Sequence, residues 1–180
     1  MNRLTLAALT GTPGTGKSSI SSLLSLGGYL VFNVTDFIDL PEAGSVETGE
    51  SIEVDTDMLR TRVAGRIGST GPGLAFISGH LSHFVDCDVA IVLRCEPHVL
   101  RKRLDGRGWS SAKVIENVRA EVLDVILVEA AERINEVFEV DTTGRNPGES
   151  MAAVLRAAME RPDDLRPGSI DWTGEIEEWF

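Results

Sequence analysis

The chain has 180 residues, 42% hydrophobic and 25% charged, which is close to the composition of globular proteins. This length fits one domain, residues 1–180, and the composition excludes a disordered chain with too few apolar residues to form a core. A net charge of −11 opposes extensive direct binding of nucleic acid. Apolar runs fall short of the ~20 residues of a membrane helix and no signal peptide is evident, so we expect a cytoplasmic protein.

Short apolar runs alternate with helical patterns along the chain. Strands are predicted at Leu4–Leu9, Tyr29–Val34, Leu74–Ile77, Val89–Leu93 and Val137–Val140. Helices are predicted between and after them, at Lys17–Leu26, Thr56–Ile67, Pro97–Leu104, Ser110–Ile134 and Pro147–Met159. This alternation predicts an α/β protein with a five-stranded, mostly parallel sheet flanked by helices.

Two segments interrupt the alternation. Residues 41–53 are turn-rich, with four Glu and no Lys or Arg, and fit either a solvated loop or part of a substrate-binding lobe. The C-terminal segment, residues 162–180, carries Trp172, Trp179 and Phe180 among acidic residues. Aromatic side chains in such a segment indicate docking, either back onto the domain or onto a partner.

The first predicted strand and helix are joined by a sequence that matches the phosphate-loop pattern G-x-x-x-x-G-K-[ST]. Glycines allow the backbone to curl around phosphates, and the helix presents its positive N-terminus to them. Lys17 is expected to bridge the β- and γ-phosphates of ATP as a catalytic cation, and the Ser18 hydroxyl to ligate Mg²⁺. The predicted nucleotide-binding residues of this region are Gly11, Thr12, Pro13, Gly14, Thr15, Gly16, Lys17, Ser18 and Ser19.

Further motifs follow the phosphate loop in a particular order. They are Phe76-Ile-Ser-Gly-His-Leu-Ser-His83, Val92-Leu-Arg94, Arg103-Leu-Asp-Gly-Arg-Gly-Trp109, Asn117 with Glu121, and Asp141-Thr-Thr-Gly144. With these motifs the chain, over residues 4–145, resembles the adenylate kinase superfamily. Within it the chain resembles the atypical branch called adenylate kinase isoenzyme 6, which is shared by archaea and eukaryotic nuclei and linked to ribosome assembly. The resemblance implies a P-loop NTPase fold with a substrate lobe near residues 35–67 and a short lid near residues 104–112.

Several residues receive candidate roles. Arg103 and Arg107 stand four apart at a helix end, so both guanidinium groups can clamp migrating phosphate charge as catalytic residues, the alternative being a solvated basic helix end. His80 matches a histidine that the branch places near the γ-phosphate, and a structural histidine is the alternative. The resemblance also implies a loop against adenine, formed by Asp141-Thr142-Thr143-Gly144-Arg145, in which Thr143, Gly144 and Arg145 are the candidate nucleotide-binding residues.

The chain departs from the family at two places. Ser78 stands where such kinases usually have an aspartate that orients Mg²⁺ through water, so an acid elsewhere has to be considered, namely Asp55, Asp57 or Asp86. The substrate lobe also lacks the early arginine that holds the monophosphate. The candidates to replace it are Arg60, Arg62 and Arg66.

Three functions are compatible with these observations. The first is a nucleoside monophosphate kinase with ATPase activity, which transfers the γ-phosphoryl group of Mg-ATP to AMP or another monophosphate and yields ADP. The second is an ATPase switch in maturation of the small ribosomal subunit, for which the acidic surface fits a basic ribosomal protein as partner. The third is a small-metabolite kinase on the same fold.

Overall fold

A five-stranded parallel sheet lies at the centre of the structure, a computed structural model that describes residues 3–38 and 54–180. The strands are β1 Leu4–Gly11, β2 Leu30–Asn33, β3 Gly73–Ser78, β4 Val89–Arg94 and β5 Val137–Asp141. Their order in the sheet is β2-β3-β1-β4-β5, with β1 in the middle. Each of the four strand pairs is parallel. The predicted five strands and their parallel arrangement are confirmed.

Helices cover both faces of the sheet. They are α1 Lys17–Leu26, α2 Thr56–Ile67, α3 Pro97–Asp105, α4 Ser111–Val122, α5 Val125–Arg133, α6 Pro147–Glu160 and α7 Ile176–Trp179. The strands form one buried cluster with α2 and α5 and a second with α1 and α6. They are apolar on both faces, as expected for a parallel sheet between helices.

The prediction of one long helix over Ser110–Ile134 is wrong. Asp124 has a φ of 55°, in the left-handed region, and separates α4 from α5. Its carboxylate binds the side chain of Arg94 at the end of β4, and this contact accompanies the break. The break lets α5 pack on the sheet, whereas α4 packs against α3.

A third buried cluster joins α3, α4 and the C-terminal segment. Trp179 is 4% exposed and contacts apolar residues of both helices, and its backbone carbonyl accepts a hydrogen bond from Arg119 Nε at 2.6 Å. Trp179 therefore docks onto the domain, while Phe180 stays 60% exposed. Residues 39–53, which include the predicted insertion 41–53, lie outside the described residues. In residues 3–38 and 54–180, none of the helices has the length and apolar character to cross a membrane.

Candidate active site

The loop between β1 and α1 curls because its glycines adopt conformations that other residues avoid. Gly11 and Gly14 have φ values of 133° and 98°, and a Cβ on either would lie within 2.7 Å of a neighbouring atom. Gly16 is the N-cap residue of α1 and provides no capping side chain, and the first turn of α1 has no acidic residue. The first N–H groups of a helix have no acceptor within it, so this helix start can receive an anion.

Lys17 folds back onto this loop. Its Nζ donates to the backbone carbonyls of Gly11 at 2.5 Å and Thr12 at 3.1 Å. Burial lowers the pKa of Lys17 to about 7, against the opposing effect of Glu121, and the positive charge of Arg107 lowers it further. An anion beside the ammonium group would favour its charged form, so phosphate is the complementary ligand.

A cavity of about 350 Å³ opens beside the phosphate loop. Two predicted clamp residues, Arg103 and Arg107, lie in its wall together with Arg145. Arg103 donates to the hydroxyl of Thr142 at 3.2 Å and to its carbonyl at 2.9 Å, and Arg107 lies over the ring of Trp109. The complete lining is Gly14, Thr15, Gly16, Ser19, Ile20, Arg103, Arg107, Thr142, Arg145, Pro147 and Ser150.

The predicted adenine loop after β5 contributes two residues to the wall of this cavity, Thr142 and Arg145. The Thr142 hydroxyl lies 2.9 Å from the carbonyl of Thr15, to which it can donate. The Thr143 hydroxyl accepts a hydrogen bond from the Glu96 N–H at 2.8 Å, next to the start of α3. Gly144 is exposed, with a φ of 66°.

His80 and His83 occupy different environments. His80 is exposed, and partial desolvation, followed by the positive charges of Lys17 and Lys113, lowers its pKa. His80 therefore lies within electrostatic reach of the phosphate loop. His83 is 1% exposed, with Nδ1 3.0 Å from the Thr10 hydroxyl and Nε2 3.0 Å from the Glu129 carboxylate. Because a carboxylate only accepts, Nε2 carries the proton and Nδ1 accepts from Thr10.

Ser18 and Ser78 differ in their availability to a metal ion. Ser18 is exposed in the first turn of α1, beside the site for phosphate, so its hydroxyl fits the role of a Mg²⁺ ligand. Ser78 is buried and accepts a hydrogen bond from Ser21 Oγ at 2.8 Å. The Ser78 hydroxyl still has its own proton to donate to a further partner, but it adds no negative charge at the end of β3.

The acids considered as replacements for an aspartate at position 78 have other partners. Asp55 caps α2, where its carboxylate accepts from the N–H groups of Asp57 and Met58. Asp57 and Asp86 form ion pairs with Arg60, at 3.6 and 3.3 Å. The Asp55 carboxylate therefore caps a helix, and the other two carboxylates form ion pairs at the surface.

Arginines of α2 supply positive charge to the predicted substrate lobe. Arg62 donates to the carbonyl of Phe37 at 3.0 Å and so joins α2 to the segment after β2. Arg60 is paired with two acids, and Arg66 is exposed in the last turn of α2. Asp36 caps a short helical turn by accepting from the Asn33 N–H at 3.1 Å.

Sequence reasoning assigned no role to several residues that the fold brings to the site. Pro147 and Ser150 line the cavity, and the sequence signal for them is their position in the first turn of the helix that follows β5, a strand of the same parallel sheet as β1. Lys113 of α4 acts on the charge of His80. Glu121, noted in the sequence only as part of a motif, binds the hydroxyl of Thr12 within the phosphate loop.

The sheet and the phosphate loop at the end of its central strand define a P-loop kinase fold. The structure of shikimate kinase from Acinetobacter baumannii in complex with shikimate superimposes with a TM-score of 0.56 at 14% identity, over 90% of this chain and 97% of that one. The structure of deoxyadenosine kinase from M. mycoides with bound dATP gives a TM-score of 0.53 at 14% identity, over 84% and 98%. At such identities the likeness concerns the fold.

Sequence comparison identifies the family. The family model described as AAA domain matches residues 8–124. A protein of Archaeoglobus fulgidus named "Putative adenylate kinase" is 46% identical over 176 residues, covering 96% of this chain and 94% of that protein. The chain therefore belongs to an adenylate kinase-like family, as its motifs predicted. Membership of the isoenzyme 6 branch stays a prediction.

Proposed function

We propose that this protein is a nucleoside monophosphate kinase that transfers the γ-phosphoryl group of Mg-ATP to AMP or another monophosphate. The observation that carries this proposal is the cavity beside the phosphate loop, whose wall combines the loop with Arg103, Arg107 and Arg145. Phosphoryl transfer needs positioning and positive charge around the migrating group, and these residues supply both. The name of the archaeal relative supports the choice of reaction.

The loop and the arginines have separate roles in this proposal. The acceptor oxygen attacks the γ-phosphorus, the bond to the β–γ bridging oxygen breaks, and ADP leaves with that electron pair. Lys17 exchanges the carbonyls of Gly11 and Thr12 for phosphate oxygens, while Arg103 and Arg107 stabilise charge on the transferred group. His80 would act near the γ-phosphate, and Thr142, Thr143, Gly144 and Arg145 would border the base.

Ser18 would hold Mg²⁺ in this site together with the phosphates of ATP. When bound, the ion neutralises charge on the phosphate oxygens. The exposed hydroxyl of Ser18 fits this role, whereas Asp55, Asp57 and Asp86 are engaged elsewhere. We therefore propose a Mg²⁺-dependent enzyme whose metal requirement is higher than that of a relative with a carboxylate at position 78.

Residues 104–112 would act as a lid and residues 35–67 as the substrate lobe. Gly106, Arg107 and Gly108 are exposed, whereas Leu104 and Val114 on either side are buried. A segment that is anchored at both ends and exposed in the middle can move over the phosphates and exclude water. Arg66 is the α2 arginine that we propose for the acceptor phosphate, since Arg60 and Arg62 bind protein groups.

ADP formation tests the function. ATP is supplied alone, then with a panel of nucleoside monophosphates and with common hydroxylated metabolites, and Lys17→Ala serves as the inactive control. We expect a monophosphate to raise the rate well above that with ATP alone. Equal rates with and without every acceptor would leave an ATPase, and stimulation by a metabolite only would indicate a small-molecule kinase.

A further inference from the structure

Glu121 is a buried carboxylate on α4 that contacts the phosphate loop. It is 2% exposed, and its Oε2 accepts a hydrogen bond from the Thr12 hydroxyl at 2.5 Å. Its Oε1 accepts from Arg94 Nε at 2.8 Å and from the Cys95 N–H at 3.1 Å. One side chain therefore joins α4, the end of β4 and the phosphate loop.

Charge pairing alone does not account for Glu121, because Arg94 has other carboxylate partners. Arg94 donates to Glu139 at 2.5 Å and also to Asp124. A buried carboxylate is costly unless it is paired and hydrogen-bonded, so a third one beside a single guanidinium needs another reason. Glu121 and Glu139 are both buried against Arg94, and within residues 3–38 and 54–180 only Glu121 of the two binds the phosphate loop.

Thr12 is the residue through which Glu121 reaches the loop. The backbone carbonyl of Thr12 accepts from Lys17 Nζ at 3.1 Å, from the Thr15 N–H at 3.2 Å and from the Thr15 hydroxyl at 2.9 Å. The side chain of Thr12 is held by Glu121, so the residue is fixed on two sides. A shift of Thr12 would change the turn that includes Gly14 and Thr15.

We propose that Glu121 is a positioning residue that acts through Thr12 to hold the phosphate loop in the shape that receives the nucleotide phosphates. This inference rests on the proposed function, in which the loop binds ATP. A preformed loop spares part of the ordering cost of binding, so losing the contact should weaken ATP binding. Glu121 is not part of the cavity lining, and phosphates beside Lys17 would keep its ammonium group charged without Glu121, so the rate of transfer from bound ATP should change little.

Steady-state kinetics test this division between binding and rate. Since a hydrogen bond to a charged group contributes ~1.5–3 kcal/mol, Glu121→Gln and Thr12→Val should each raise KM for ATP roughly tenfold or more, with kcat within about twofold. The effects of Glu121→Gln and Thr12→Val on KM should be less than additive in the double variant, because both changes weaken the same contact. Thr12→Ser, which keeps the hydroxyl, should lose less than Thr12→Val.

Glu139→Gln is the matched control, because it removes the negative charge of a second buried partner of Arg94 without touching the loop. Its stability should fall, and its KM for ATP should stay at the wild-type value. An equal rise of KM in Glu121→Gln and Glu139→Gln, or fully additive effects of Glu121→Gln and Thr12→Val, would overturn the inference.

Amide hydrogen exchange tests the inference without relying on kinase activity. The amides of residues 12 and 14–17 should exchange faster in Glu121→Gln than in the wild type, and at the wild-type rate in Glu139→Gln. Unchanged exchange in Glu121→Gln would refute the positioning role even if the protein is a kinase. A wild type that phosphorylates no monophosphate would instead refute the proposed function, and exchange would still decide the role of Glu121. If Glu121→Gln does not fold, Thr12→Val carries both measurements, because it removes one hydroxyl and leaves the pair with Arg94.

Discussion

Single side chains at the phosphate loop have environments that bear directly on charge. Lys17 is held by backbone carbonyls, and burial lowers its pKa to about 7, so these surroundings favour its charged form less than water does. Ser78 and His83 are buried close to the same edge of the sheet, each with polar partners.

Lys17→Ala should leave a folded protein with little turnover. The change removes the cation of the loop but not the helix start, so we expect the rate of ADP formation to fall ~10³-fold or more. Turnover is measured with purified variants whose melting temperatures have been compared. Lys102→Ala, which removes an exposed lysine of α3, is the control and should keep the wild-type rate. A near-normal rate in Lys17→Ala would contradict the assignment of the loop.

Ser78→Asp should lower the Mg²⁺ concentration that gives the half-maximal rate. The new carboxylate would lie at the end of β3, beside β1 and the phosphate loop, and would add negative charge near the proposed ion. Magnesium titrations of the rate measure the effect, with Ser78→Ala as the control for loss of the hydroxyl. An unchanged or higher requirement in Ser78→Asp would mean that another acid already fills this role.

His83 should make the protein less stable in mild acid. Burial lowers the pKa of His83 below its usual value, despite the opposing effect of the hydrogen bond that Nε2 donates to Glu129. The unfolded chain therefore binds more protons than the folded one below about pH 6.5, and the free energy of unfolding falls as the pH drops. Urea unfolding between pH 7 and 5 should show a smaller drop in His83→Gln than in the wild type. Equal drops would show that His83 does not contribute.

At the scale of elements, α3 and α4 hold the segment that carries Arg107. Leu104 at the end of α3 and Val114 in α4 belong to one buried cluster, whereas Arg107 and Gly108 between them are exposed. Gly108 has a φ of 72°, a conformation that glycine adopts without strain. The two helices therefore fix the ends of the proposed lid and leave its middle free to respond to a ligand.

Arg107→Ala should spare the fold and slow transfer. The side chain is exposed and lines the cavity, so its removal should lower kcat ~10²-fold through lost charge stabilisation, with little change in the melting temperature. Arg101→Ala is the control, because the Arg101 guanidinium lies over the ring of Trp179 and away from the cavity. Wild-type kinase and ATPase rates in Arg107→Ala would reject the lid role.

At the scale of the whole molecule, the C-terminal segment completes a buried cluster that the rest of the chain leaves incomplete. Trp179 packs between α3 and α4, its Nε1 donates to Glu175 at 3.2 Å, and its ring lies 5.1 Å from that of His98. Gly168 of the same segment donates its N–H to Glu139 at 2.7 Å. The segment thereby contacts both the end of the sheet and the helices that hold the proposed lid.

Trp179→Ala should destabilise the protein strongly. Truncation of a buried tryptophan costs ~3–5 kcal/mol through lost packing and the cavity left behind. Urea unfolding measures this loss, and Phe180→Ala, at a neighbouring but exposed position, should cost much less. Equal small effects of the two variants would mean that the packing of Trp179 contributes little to stability.

The predicted basic ribosomal partner, whose affinity should fall with added salt, stays a prediction from charge alone.

Local patterns in the sequence were sufficient to predict the strands, most helices and the phosphate loop. Periodicity and turn residues act over a few positions, and the loop pattern is contiguous, so each can be read without knowing the fold. The break at Asp124 was missed because the helical pattern continues through it, and only its contact with Arg94 in space accompanies the change. The role that the resemblance gives to the loop after β5, against adenine, stays a prediction.

The sequence by itself determined which residues form the phosphate loop and the order of the elements around it. Only the tertiary structure decided which distant side chains meet there, such as Ser150 in the cavity wall and Glu121 bound to Thr12. It also decided that Trp179 docks inward and that Asp55 and Asp86 have other partners. The physical reason is that these contacts join residues far apart in the chain, and packing of the helices on the sheet sets their distances.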